Sequence, residues 1–304
     1  MIFDVVVIGA GLSGSFLASK LKDQGKTVLI LEKSRGIGGR CSAKPILTDI
    51  VDYGCQYFSP KSETAKNISS NLVDENILEI VQIRKNKNVL ISPLGMNRVP
   101  QYFARNVPVL TNTKVDSINR KKNTWLIQTD SMNFKSKIIV SSIPTNQNME
   151  LFSKSEFIVE KNIFPQVNYH SFFTITCINE LIQNTVLSPT NSDFSWICNN
   201  TLKGIRNKKQ VYTINTSNLF TNQLLSFDKK NIEIKIKKRL QLIGINNPQK
   251  FSFHFWKYAY SDIGSNKQGY WNSNIGLGLC GDGFGLGKID GALTSADFLS
   301  KQII

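Results

Sequence analysis

The chain opens on six residues, 3–8, that are apolar except for Asp4 and rich in valine. That pattern belongs to a strand buried on both faces of a parallel sheet. The period then changes. Leu12, Phe16, Leu17 and Leu21 fall on one side of a helix running to about Asp23, where Gln24-Gly25 stops it. Residues 27–31 return to a strand. Downstream the pattern predicts a helix over 62–72 and a hairpin of 78–83 with 89–92, turning at Lys85-Asn86-Lys87-Asn88. Gly95-Met96-Asn97 opens another helix, with Val99, Tyr102 and Phe103 inside. Four short strands follow as a meander, 107–110, 114–119, 125–129 and 134–142, and Pro144 stops the last.

From about residue 157 the chain changes character. Segments 169–178, 194–198, 211–215 and 251–258 read as an antiparallel sheet, joined by strands near Val89. Ile232, Ile236, Leu240 and Ile243 mark a helix at 3.6 spacing. The last of these strands alternates strictly: Ser252, His254, Trp256 and Tyr258 share one face, and Phe251, Phe253 and Phe255 the other. A strand over 275–280 and a helix over 290–301 complete the chain. The expected fold is α/β in two lobes. A Rossmann-like dinucleotide domain, interrupted by the crossover meander, takes 1–60, 95–155 and 270–304; an antiparallel-sheet substrate lobe takes 61–94 and 156–269.

Chemistry enters at the first turn. Gly9, Gly11 and Gly14 stand in G-x-G-x-x-G spacing between the first strand and the first helix, and Glu32 ends the second strand. The first glycine allows a tight turn, the second lets a pyrophosphate approach the backbone, and the third lets helix and strand pack closely. The helix N-terminus offers free N–H groups and a partial positive charge to phosphates. Glu32 is placed for a ribose diol. NAD and FAD proteins both use this unit. The next residues, Lys33-Ser34-Arg35-Gly36-Ile37-Gly38-Gly39-Arg40, favour FAD. Their glycines let a second loop fold across the pyrophosphate, with Arg40 pairing its charge. At the other end Gly281-Asp282 follows a strand, where an aspartate suits ribitol hydroxyls, and the last helix would point its dipole at the flavin N1–C2=O edge.

Composition narrows the function classes. The 304 residues carry a net charge of +15, which raises nucleic-acid binding. The basic residues are scattered rather than clustered, so the reading is no nucleic acid, with a positive surface that draws in an anionic small molecule. Five cysteines form no C-x-x-C pair, and there are only two histidines. Disulfide frameworks and metal centres are therefore not expected, and the location expected is cytoplasmic. No apolar run approaches the ~18 residues of a membrane span, and Asp4 breaks any signal-peptide pattern.

With these pieces in order, the chain resembles the renalase family, a small bacterial branch of the amine-oxidase flavoprotein superfamily. The resemblance rests on Gly9–Gly14, Glu32-Lys33, Gly36–Arg40, Asp52–Phe58, Gly95-Met96-Asn97, Trp196–Lys203, His254–Ala259 and Gly281–Ala292. It implies non-covalent FAD held by Gly9, Gly11, Leu12, Ser13, Gly14, Glu32, Lys33, Gly39, Arg40, Gln56, Tyr57, Val115, Gly281, Asp282, Lys288 and Ile289. It implies oxidation of the 2- and 6-dihydro isomers of NAD(P)H to NAD(P)⁺ by hydride transfer to flavin N5, with O2 reduced to H2O2. Tyr57, Phe58, Ser59, Asn97, Asn199 and Asn200 would meet the substrate, with Met96 nearby and Lys203 or Arg206 at a phosphate. No catalytic residue is assigned; His254 is the candidate, either in the substrate pocket or as a hydrogen-bonded structural histidine. The implied partners are a dihydronicotinamide dinucleotide and O2, for a monomer or homodimer without membrane attachment. Relatives often carry arginine where this chain has Asn199. The lysine that many place near flavin N5 has no evident counterpart. An amine oxidase or desaturase of the same superfamily is the alternative, favoured if Trp256 and Tyr258 line an amine cage. A flavin-binding protein without redox activity is a third reading.

Overall fold

The computed structural model describes all residues except Met1, Ile158, Leu181 and Ile304. β1 (Phe3–Ile8), α1 (Leu12–Asp23) and β2 (Val28–Leu31) form the opening βαβ unit. A small hairpin of β3 (Ala43–Ile46) and β4 (Asp49–Asp52) comes next, then α2 (Glu63–Asp74), the hairpin β5 (Glu79–Arg84)–β6 (Lys87–Ile91), and α3 (Arg98–Ala104). Ser62 caps α2 by accepting from the Ala65 N–H, which satisfies one of the helix's orphan donors. β7 (Val109–Leu110), β8 (Val115–Lys121), β9 (Thr124–Thr129), β10 (Asn133–Ser141) and α4 (Thr145–Ser153) follow.

The main sheet runs β7–β2–β1–β10 and continues into the C-terminal strands described below. β10 has two roles. Its first half pairs antiparallel with β9, and its second half lies parallel to β1 from Ser136 to Ser141. The meander is thus three strands. Segment 107–110, expected as its first strand, instead joins the parallel sheet as the two-residue β7 beside β2. Val5, Val7, Leu17 and Leu21 fill one side of this sheet, Val6, Leu29, Trp125 and Ile127 the other.

The second lobe holds β11 (His170–Ile178), β12 (Phe194–Asn199), the single-turn α5 (Asn200–Lys203), β13 (Val211–Thr216), α6 (Asn218–Leu224), α7 (Lys229–Gln241) and β14 (Gln249–Tyr260). Its four strands are antiparallel in the order β12–β13–β11–β14. The apolar stripe Ile232, Ile236 and Leu240 of α7 packs under this sheet with Ile175, Ile214 and Phe194. β15 (Tyr270–Asn272) and β16 (Leu277–Leu279) return to the main sheet, β16 parallel to β10, before the closing α8 (Lys288–Gln302).

Two expectations shift. The β5–β6 hairpin turns at Lys85-Asn86 alone, with Asn86 in the left-handed conformation that an asparagine tolerates. It forms its own two-stranded sheet rather than joining β12–β13–β11–β14. Residues 61–94, expected with the substrate lobe, pack instead into the dinucleotide core: Ala65, Leu72, Leu78, Ile83, Val89 and Ile91 share one cluster with Val5, Leu17 and Leu293. Their apolar faces fit against α1, α3 and α8. Among the described residues no helix is long and apolar enough to cross a membrane.

Candidate active site

The G-x-G-x-x-G turn sits between β1 and α1 as the spacing requires. Gly9 holds φ +101°, and a Cβ on Gly14 would overlap the Gly9 carbonyl oxygen and stand 2.5 Å from Ser142 Oγ. The second glycine loop folds back on the first: Gly38 N–H donates to the Ala10 carbonyl at 2.9 Å, and a Cβ on Gly39 would lie 3.0 Å from Gly11 Cα. At the N-terminus of α1, Gly11 provides no side-chain cap, and the first turn carries no acid. Ser13 Oγ is buried without a hydrogen-bond partner. An uncapped helix end with an orphaned hydroxyl, framed by two backbone-lined loops, suits the phosphates of a dinucleotide. Glu32 is buried, its carboxylate accepting from Ala10 N–H at 2.8 Å and Ser34 N–H at 2.7 Å. About half of its lone-pair directions stay open for a ribose diol.

Arg40 and Asp282, expected on separate parts of the cofactor, are committed to one another. The guanidinium donates to both carboxylate oxygens, at 2.7 Å to Oδ2, and also to the Tyr258 carbonyl. Tyr169 donates its hydroxyl to Asp282 at 3.2 Å; burial and the neighbouring carboxylate push that phenol up to about 12. The bridge ties the first dinucleotide motif to the last. Of the other residues expected at the cofactor, Lys33 is exposed and donates to Gln147, and Val115 begins β8. Lys288 is exposed at the start of α8, and Ile289 packs on the core. The first-turn Asp290 accepts from Lys61 and Ser62, so α8 caps α2 rather than presenting a free N-terminal acid.

The segment Asp52–Phe58 is fixed from below by a buried network that crosses between lobes. Lys203 Nζ donates to Asp52 Oδ2 at 2.8 Å, with both side chains essentially without solvent. Met96 N–H donates to Asp52 Oδ1 at 2.7 Å, and Gln56 donates to the Asp52 and Gly54 carbonyls. Burial pushes the Asp52 carboxyl pKa up, and the Lys203 ammonium and Met96 N–H pull it back. Several sequence-based expectations change here. Lys203 meets a carboxylate and not a phosphate, while Arg206 pairs with Glu79. Gln56 and Met96 belong to the scaffold rather than to a ligand surface. Phe58 is fully buried, its backbone bridged to Leu90, so it meets no substrate. Asn199 caps α5 and binds Gln210 and Tyr212; Asn200 binds Thr213 and the Asp52 N–H. Their amides are used within the protein, which removes both from the substrate surface.

Of the other residues expected at the substrate, Tyr57 and Asn97 are half-buried and Ser59 is exposed. Asn97, half-buried beside Gly38, makes no side-chain hydrogen bond among the described residues. Tyr57 lies against Trp196 and takes a hydrogen bond from Lys87. The alternation of β14 holds: Phe251, Phe253 and Phe255 pack on the lobe core, while Ser252 meets Lys44, His254 and Trp256 meet Tyr53, and Tyr258 meets Tyr169. Tyr53 stacks on Trp256 at 5.5 Å, and His254 sits edge-on to both rings. Tyr258 packs edge-on to Tyr169. Trp256 and Tyr258 thus each pack against a neighbouring ring, Tyr53 and Tyr169 respectively. His254 is exposed, and its ring makes no hydrogen bond among the described residues. Desolvation by the packed rings first, and the Lys44 charge second, hold its pKa below the usual imidazole value, which favours the neutral ring. Lys44 was not anticipated, and Tyr53 only as part of the segment Asp52–Phe58. Their signal was position: each lies within two residues of the β3–β4 hairpin bounds or inside them, next to a motif already marked.

Residues 7–74 match the family described as NAD(P)-binding Rossmann-like domain. The chain is 38% identical over 77 residues to the UDP-galactopyranose mutase of Mycoplasma genitalium, a match covering 24% of this chain and 19% of that protein. It is 37% identical over 93 residues to the putrescine oxidase of Kocuria rosea, covering 30% and 19%. The matched segment is thus about a fifth of either relative's length. Over the whole chain the fold is similar to cyclohexylamine oxidase from Brevibacterium oxydans IH-35A, with TM-score 0.72, 12% identity and coverage of 100% and 99%. It is likewise similar to a redesigned putrescine oxidase, TM-score 0.70 at 12% identity, covering 99% and 98%. The fold is therefore that of these oxidases over the whole chain, and residues 7–74 carry a Rossmann-like dinucleotide unit.

Proposed function

We propose that the protein is a flavin oxidase that holds FAD non-covalently and oxidises the 2- and 6-dihydro isomers of NAD(P)H to NAD(P)⁺. The observation that carries this reading is the β14 wall beside the dinucleotide loops. It offers aromatic rings and a histidine whose pKa is lowered, and the neighbouring carboxylate Asp282 is already paired with Arg40. When bound, FAD supplies the hydride acceptor at N5 and passes the electron pair to O2, giving H2O2. A dihydronicotinamide gains aromaticity as it loses hydride and needs no base to take a proton from carbon. An amine, in contrast, needs a deprotonated nitrogen and a site that tolerates its cation. The residues' task is to orient the donor ring: Tyr57, Asn97 and the edges of Tyr53, His254 and Trp256 would hold it by shape and by the carboxamide. Under this reading the two lobes meet at the wall, one carrying the cofactor and the other the β14 face.

The test is anaerobic mixing of FAD-loaded protein with each donor while flavin absorbance is followed. The 6- or 2-dihydro isomers are expected to bleach the flavin far faster than 4-dihydro-NADH or common amines, with peroxide matching NAD(P)⁺ once air is admitted. The isomers carry hydride on different ring carbons, and transfer requires about 3–3.5 Å to the acceptor. A pocket that fixes the ring can present one or two of those carbons and hold the third away. Rapid bleaching by a primary amine, with none by the isomers, would replace this reading with an amine oxidase.

Cofactor retention gives a second check. Glu32→Ala removes a buried carboxylate placed at the ribose, a charge-assisted contact worth about 1.5–3 kcal/mol. After dialysis the variant is expected to lose most of its FAD while the wild type stays yellow. Full occupancy in both would move the ribose away from Glu32.

A further inference from the structure

We propose that Lys44 and Lys250, on the two walls of a cavity between β3 and the start of β14, form a phosphate-binding subsite for the charged arm of a nucleotide substrate. The proposal rests on the reading of the β14 wall as the place of the hydride donor. The cavity is about 310 Å³ and is lined by Lys44, Ile46, Lys250, Phe251 and Ser252 with the β3–β4 turn. It adjoins the wall directly. Lys44 Nζ donates to Ser252 Oγ at 2.7 Å and stands 5.1 Å from the Tyr53 ring centre, and its charge reaches His254.

A chain with a surplus of 15 positive charges has many unpaired lysines. These differ in three ways. Lys44 is half-buried, and neither it, Lys250 nor Arg35 has a carboxylate within 4.0 Å among the described residues. Burial first, and the like charge of Arg35 second, hold the Lys44 ammonium below its ordinary pKa. A bound anion would relieve both effects. Finally, both walls are made with backbone that non-glycine residues rarely adopt: Leu47 at φ +58° and Lys250 at φ +52°, the latter at the register shift between β11 and β14. The two cations the sequence suggested for a phosphate, Lys203 and Arg206, are paired with Asp52 and Glu79. An aromatic wall for a planar ring beside a cationic cavity is the layout that a nucleotide needs.

The experiment compares FAD-loaded wild type with a Lys44→Met/Lys250→Met double variant, and with Lys250→Met alone, which alters an exposed side chain and keeps the test open if the double variant misfolds. Inorganic pyrophosphate is titrated by calorimetry. Its affinity is expected to fall about tenfold or more in the double variant and measurably in the single one. In turnover, the wild type is expected to prefer 6-dihydronicotinamide mononucleotide over its unphosphorylated nucleoside about tenfold in KM, and the double variant to lose that preference. Equal pyrophosphate binding by all three proteins, or none by the wild type at millimolar concentration, would overturn the subsite. If no dihydronicotinamide reduces the flavin, the function reading fails, and the pyrophosphate titration still decides the subsite.

Discussion

Replacing Lys203 with methionine is expected to cost the protein about 3–5 kcal/mol, because it leaves a carboxylate without its counter-ion in a place that water does not reach. Asp52 has no exposed surface, and Lys203 has 1%. The Asp52 carboxylate would keep only the Met96 N–H, while its backbone carbonyl still binds Gln56 and Thr213. Burial already pushes its pKa up, and without the ammonium the carboxyl would fold protonated. The sign of the pH dependence follows. A carboxyl whose pKa is higher folded than unfolded binds more protons when folded, so stability is lost as pH rises from the ordinary carboxylate range through the raised value. The variant should therefore be least stable at neutral pH and recover part of its loss in acid. A double variant, Asp52→Leu with Lys203→Met, removes both charges and should recover much of the loss, since an apolar pair has no desolvation to offset. Urea unfolding of the wild type, Lys203→Met, Asp52→Leu and the double variant measures the cycle. A single-variant loss below about 1 kcal/mol would mean that the pair is solvated in solution.

The parts of this architecture legible in the sequence are those that a local period encodes. β1, α1 and β2 fall within a residue of expectation, since glycines and apolar spacing fix them without help from elsewhere. The two faces of β14 were legible for the same reason. What the sequence hid are pairings whose partners lie far apart. Arg40 and Asp282 are 242 residues apart, and Lys203 and Asp52 are 151 apart. Seen singly, a charged residue in a motif reads as a ligand contact; only topology shows that another residue already occupies it. β7 was misplaced because two residues carry no period, so its neighbour β2 decided its sheet. Asn199 had a signal that outweighed resemblance: an asparagine before a short polar helix is a cap by habit.

Gly14→Ala is expected to remove the cofactor and destabilise the fold together, for one geometric reason. The Cβ would overlap the Gly9 carbonyl oxygen and crowd Ser142 Oγ at 2.5 Å and Val7 Cγ1 at 3.2 Å. Ser142 can rotate, but the Gly9 carbonyl is backbone at a turn held at φ +101°, and its N–H is bound to Leu31. Relief must come from moving α1 away from β1. That movement opens the packing of Leu17 and Leu21 and displaces the first-turn N–H groups from the phosphates. Overpacking of this kind costs about 1–3 kcal/mol or more, and the phosphate contacts are lost in addition. Gly36→Ala is the control, because a Cβ there meets nothing within 4 Å. The Gly14 variant should purify colourless with a clearly lower melting temperature, and the Gly36 variant should match the wild type in both. A yellow Gly14→Ala protein with an unchanged melting temperature would mean that α1 does not approach β1 as closely as this turn requires.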